Sequence, residues 1–85
     1  MDHVEAVKQL LTNTLNLGKR GANLEPSSLL LGALPELDSM ALTRLLMQLE
    51  EHFDFTIHDD EIDGHVFETV ASLAAFVEQK ILEKK

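Results

Sequence analysis

Three groups of side chains in this 85-residue chain are of types that do chemistry. The first is Ser39 beside Asp38, a hydroxyl next to a carboxylate. A serine nucleophile needs a base aimed at its hydroxyl and usually an oxyanion hole. Neither a Gly-x-Ser-x-Gly turn nor any glycine-rich segment surrounds Ser39, so hydrolysis is not expected. Taken alone, Ser39 reads as a helix N-cap, a common use of serine at a helix start. The second group is Asp59-x-Glu61-x-Asp63-Gly64, alternate acids and a glycine like the first half of an EF-hand loop. The position that should supply the bidentate Glu is Val70, and Glu68 falls two residues early, so calcium is not expected. The histidines are the third group. His58 and His65 flank those acids at a separation that does not favour a metal site, and His3 and His52 have no partner that sequence can place. Cysteine is absent, which excludes disulfides, Cys-based zinc sites and a thiol nucleophile of the polypeptide. No enzyme is expected from these residues.

The elements that must position them are helical. Val4, Val7, Leu10, Leu11 and Leu15 form one stripe, which predicts a helix over about 2–16, with Asp2 in its first turn and Gly18 just past its end. Residues 17–38 contain Gly18, Gly21, Pro26, Gly32 and Pro35, so no helical pattern survives there. That loop is too rich in leucine to lie in water. Leu24, Leu29, Leu30, Leu31 and Leu34 are expected to pack it down, with one helical turn opening at Pro26-Ser27-Ser28. A second long helix starts at Ser39 as N-cap, with Glu36 and Asp38 placing negative charge at its positive end. Its buried stripe is Leu42, Leu45, Leu46, Leu49 and Phe53, and Met40, Thr43 and Met47 lie on a strip nearer solvent. A short helix is expected over roughly 60–66. Thr69 then caps a last helix carrying Val70, Leu73, Ala74, Val77 and Ile81 on one face. Nothing alternates at period two for long enough to make a strand. The expected fold is all-α: one domain over 1–85, a small four-helix bundle of three main helices and one short one, with a long first connection.

Composition narrows the function classes. Apolar residues are 45% of the chain, ordinary for a folded domain, and a chain this short buries only about 60% of its unfolded surface. The longest apolar run, Leu29 to Leu34, is far too short to span a membrane, and the N-terminal residues lack signal-peptide features. A cytoplasmic monomer is expected. The net charge of −8 is unevenly spread: residues 1–35 are neutral overall, while 36–78 carry eleven acids and a single base, Arg44. That field repels nucleic acid and anionic lipid, and it speeds encounter with basic protein surfaces.

One stretch adds more. Leu37-Asp38-Ser39-Met40, running into Leu42-Thr43-Arg44-Leu45-Leu46-Met47-Gln48-Leu49-Glu50-Glu51-His52-Phe53, resembles the acyl carrier protein family. That family's signature is Asp-Ser-Leu or Asp-Ser-Met opening an amphipathic helix that ends in Leu-Glu-Glu-x-Phe. The likeness continues through Ile57, the acidic turn and Phe67-Glu68-Thr69-Val70, and so covers nearly the whole chain. The resemblance implies a four-helix bundle with no catalysis of its own. It implies that Ser39 receives 4′-phosphopantetheine from coenzyme A through a separate phosphopantetheinyl transferase, with Asp38 positioning magnesium or that transferase. Acyl-loading and acyl-using enzymes would dock on the helix that follows, through Met40, Arg44, Met47, Glu50 and Glu51. Ala41 and Arg44 stand where fatty acid synthase carriers often have acids, so they are expected to form an unusual early docking face. Leu-Asp-Ser-Met is also similar to D-alanyl carrier proteins, and Glu36-Leu37 replaces the glycine often found before Asp-Ser. These features favour a specialised acyl or aminoacyl carrier over a housekeeping one. The alternative from another class is a helical interaction module in which Ser39 is only a cap.

Overall fold

The computed structural model describes residues 3–84, apart from the side chains of Asp59 and Lys84. The expected first-turn acid Asp2 lies outside the described residues. Among the described residues four α-helices follow in order: α1 (His3–Leu15), α2 (Lys19–Ala22), α3 (Ser39–Phe53) and α4 (Val70–Lys84), with one 3₁₀ turn at Asp59–Glu61. Among the described residues there is no strand, only an isolated antiparallel bridge between Leu29 and Thr69.

The three long helices form because each carries an apolar stripe at helical spacing. Val7, Leu10, Leu11 and Leu15 of α1, Ala41, Leu45 and Leu49 of α3, and Val70, Leu73, Ala74 and Val77 of α4 meet in one core, with Phe67 as its largest fully buried side chain. Leu42, Leu46 and Phe53, expected in the α3 stripe, are half-buried at its edge. The centre of that stripe is the i, i+4, i+8 row Ala41, Leu45, Leu49 instead. Helix α1 packs against all three other helices.

The helix ends explain where the chain turns. Asn16, not Gly18, takes the left-handed conformation that stops α1 (φ 57°), and the Leu17 N–H donates to the Thr12 carbonyl at 3.0 Å. That six-residue closure satisfies one of the carbonyls a helix end leaves free. At α4, the Thr69 hydroxyl accepts from the Ser72 N–H (3.0 Å) while the Ser72 hydroxyl accepts from the Thr69 N–H (2.9 Å). Such a reciprocal pair satisfies two orphan donors and fixes the start of the helix where the sequence places it.

The short helix is not where the sequence pattern puts it. Residues 60–66 form only the end of the 3₁₀ turn and a turn closed by the Val66 N–H on the Asp63 carbonyl (3.2 Å), where Asp63 Oδ1 also accepts from the N–H groups of His65 (2.9 Å) and Val66 (3.3 Å). Asp side chains that take local N–H groups compete with helix. The short helix is α2, inside the long loop and against α1. It depends on Gly21: a Cβ there would lie 2.7 Å from Thr12 Cβ, and its clash with Thr12 Oγ1 is closer still. Rotating Thr12 moves the oxygen but not the Cβ, so the two helices must part. Gly21→Ala is therefore expected to cost about 1–3 kcal/mol, the range for overpacking. The check is the urea midpoint, and an unchanged midpoint would mean that α2 is not held against α1.

After α2 the loop is stitched to the segment before α4. Leu30 and Leu31 N–H groups donate to the carbonyls of Glu68 (2.9 Å) and Phe67 (3.0 Å), and Val70 and Ala71 N–H groups donate to Ser28 and Pro26. Pro26-Ser27-Ser28 is a turn closed by the Ser28 N–H on the Glu25 carbonyl, not a helical turn. Leu24, Leu30 and Leu37 are buried and Leu34 is half-buried, but Leu29 and Leu31 are 59% and 48% exposed. The segment is extended, so neighbours of the inward Leu30 must point outward.

Candidate functional site

The stretch around Ser39 is a small knuckle held at both ends. Leu37 (5% exposed) and Ala41 (1%) are buried, while Asp38, Ser39 and Met40 between them are exposed. Asp38, not Ser39, is the N-cap. Its backbone is extended (φ −97°, ψ −175°), its Oδ1 accepts from the Ala41 N–H at 2.8 Å, and its carbonyl accepts from the Leu42 N–H at 2.8 Å. Both residue types cap well, and burial of Leu37 and Ala41 selects the register in which the carboxylate reaches the third N–H.

Ser39 is consequently the first residue of α3, with its hydroxyl making no hydrogen bond among the described residues. Its carbonyl accepts from the Thr43 hydroxyl at 3.1 Å. The Ser39 and Met40 N–H groups also find no acceptor among the described residues. Free N–H groups at the positive end of a fifteen-residue helix favour an anion beside the hydroxyl. The knuckle therefore fits a phosphodiester on Ser39 Oγ sterically and electrostatically.

Glu36, two residues before the cap, forms an ion pair with Arg20 of α2. Its charge is thereby matched and contributes little to the field at Ser39. The same pair ties α2 to the segment that leads into the site. No sequence pattern signals this contact, because it joins residues sixteen apart across an irregular loop.

Along α3, Met40 (77% exposed), Arg44, Met47 (54% exposed) and Glu51 are all exposed. Ala41, expected to share the early docking face with Arg44, is in the core instead. Glu50 is half-buried, and its Oε2 accepts from the Ile57 N–H at 2.8 Å, so that carboxylate also holds the chain beyond α3.

Glu61 and Asp63 of the acidic segment after α3 are turned to partners within the protein. Glu61 pairs with Lys80 of α4 (2.7 and 3.0 Å) and accepts from the His58 N–H (2.7 Å), while Asp63 is turned to its own backbone. No group of three metal-ligating side chains occurs among the described residues. The hydrogen bond from Lys80, then that from the His58 N–H, holds the Glu61 carboxyl below its ordinary 4.5. The same Glu61 bond raises Lys80 above 10.5. A depressed carboxyl stabilises the fold above 4.5 and loses that contribution as pH falls through its folded value. A raised ammonium stabilises below 10.5 and loses its contribution as pH rises through its folded value. Glu61→Gln is expected to lower Tm at neutral pH, with the difference from the native chain closing as pH falls below 4.5. Equal Tm values at neutral pH would show that the pair contributes nothing.

Residues 35–77 match the family described as the phosphopantetheine attachment site. No curated protein matched the chain. Among solved structures, the solution NMR structure of the holo acyl carrier protein from Nitrosomonas europaea is 54% identical. The match spans 96% of this chain and 99% of that one, with a TM-score of 0.90. A half-chain family match that includes the knuckle, and a likeness that runs the length of the bundle, place this chain in the acyl carrier protein family, whose members are carriers with covalently attached 4′-phosphopantetheine rather than enzymes.

Proposed function

We propose that this protein carries an acyl group as a thioester on a 4′-phosphopantetheine arm borne by the Ser39 hydroxyl, and presents it to enzymes that dock on α3. The observation that carries the assignment is the knuckle: an exposed, unbonded hydroxyl at the first position of α3, between two buried anchors and beside free N–H groups. The arm supplies a thiol. Among this chain's own residues, Ser39 holds the phosphodiester, the first turn of α3 faces its charge, and Asp38 keeps that turn formed. Asp38 spends one carboxylate oxygen on the cap, which leaves the other for magnesium or a transferase.

The protein works as a cytoplasmic monomer of one domain, in fatty acid or specialised acyl metabolism. Its strong negative charge and lack of cysteine suit that setting, and no helix among the described residues is long and apolar enough to cross a membrane. The exposed Arg44 favours a specialised pathway, since it is the single Lys or Arg among the eleven acids of residues 36–78. Intact mass after incubation with coenzyme A and a phosphopantetheinyl transferase tests the attachment. Gain of one phosphopantetheine at Ser39 supports it, and a folded chain that gains none would refute it. Loading the thiol with fatty acyl or D-alanyl donors then decides the cargo.

A further inference from the structure

Met40, Arg44, Met47 and Glu51 stand at i, i+4, i+7 and i+11, so they lie within about 60° of one another around α3. The two methionines are exposed and about 10 Å apart along the axis. Arg44 lies between them. It is the one base in residues 36–78, it is exposed, and it makes no ion pair among the described residues. The helix thus carries a cation that it does not use for its own stability.

The surface on the two sides of Met47 is of opposite character. One shallow recess is lined by Asn13, Thr14, Arg44, Met47 and Gln48, where Arg44 is the only charge. The other is lined by Met47, Glu50, Glu51, Asp54, Phe55 and Thr56, with three carboxylates and no base.

We propose that α3 selects partner enzymes whose docking surface carries both signs. A carboxylate of the partner enters the recess at Arg44, apolar side chains cover Met40 and Met47, and a basic side chain enters the recess at Glu50, Glu51 and Asp54. This rests on α3 being the docking helix of a carrier loaded at Ser39. Charge complementarity identifies the occupant, because it sets specificity and encounter rate at such surfaces. A second copy of the chain fits poorly. Antiparallel pairing of the stripe with itself sets Arg44 against Met47 and Met40 against Glu51, while two chains of −8 repel. A partner with a wholly basic docking surface fits poorly too, since it meets Arg44 with like charge.

The test measures initial rates of modification, by intact mass at low fixed salt, for the native chain, Arg44→Gln and Arg44→Glu. The probe is a phosphopantetheinyl transferase with a basic docking surface, together with variants in which each surface Lys or Arg is replaced in turn by Glu. With the unaltered transferase, Arg44→Glu is expected to react about tenfold faster than the native chain, with Arg44→Gln between them. One Lys or Arg→Glu transferase variant is expected to reverse that order, and added salt to shrink both differences. Equal rates for all three chains, or no reversing variant, would overturn the proposal. So would a concentration-dependent dimer that Arg44→Glu dissociates, which assigns the face to a second copy. If all three chains fold but none is modified at Ser39, the attachment assignment itself fails.

Discussion

Ser39→Ala is expected to stay at the mass of the bare polypeptide under conditions that fully modify the native chain, while melting at nearly the same temperature. Loss of the hydroxyl removes the oxygen that forms the phosphodiester, so the effect on attachment is complete. Stability is little changed for a local reason. Ser39 is the first residue inside α3 and its hydroxyl makes no hydrogen bond, so the substitution removes no cap. Alanine is also the better helix former. Asp38→Ala makes the opposite case. It frees the Ala41 N–H and should cost about 0.5–2 kcal/mol, while the Ser39 oxygen remains. Intact mass and thermal melting of the two variants separate attachment from capping. Modification of Ser39→Ala would refute the site, and a marked loss of its stability would refute the assignment of the cap to Asp38.

Ala41→Asp should be the most damaging single change in this region. Ala41 is 1% exposed and heads the row Ala41, Leu45, Leu49 that faces the core. A carboxylate there is either buried with no charge partner or protonated at a raised pKa, and either outcome costs several kcal/mol. An acid in the first turn gains up to about 1 kcal/mol from the helix dipole, which does not offset that cost. For a domain of this size each kcal/mol lowers Tm by about 4–8 °C, so a loss of about 3 kcal/mol lowers it by more than 10 °C. Thermal melting checks this directly. A variant as stable as the native chain would show that Ala41 does not lie in the core. Ala41→Asp is accordingly no probe of docking, because any loss of modification would follow from unfolding. Arg44 is exposed and can be altered without touching the core.

What the sequence determined by itself was local and periodic. The apolar spacing of α1, α3 and α4 specifies three helices and most of their buried rows, because a stripe at period 3.6 has one good way to leave water. Thr69 is legible as the cap of α4, and the structure adds its reciprocal bonds with Ser72. The exposed position of Met40 and Met47 follows from the same periodicity. Asp-Ser-Met before a long amphipathic helix is legible without coordinates, and it marks the knuckle.

Tertiary structure decided what depends on contacts across the chain. Asp38 and Ser39 are both good caps, and the choice between them follows from which flanking residues are buried, Leu37 and Ala41. Residues 19–22 carry no apolar stripe and include a glycine, yet they form α2 because Gly21 lets the chain lie against Thr12 of α1. Leu29 and Leu31 are exposed because hydrogen bonds to Phe67 and Glu68 hold their segment extended, with Leu30 inward. Glu36 pairs with Arg20 and Glu61 with Lys80, while Arg44 pairs with nothing described. Sequence lists the charges, but a charge's partner is set by where the packed helices bring the ends of long side chains together.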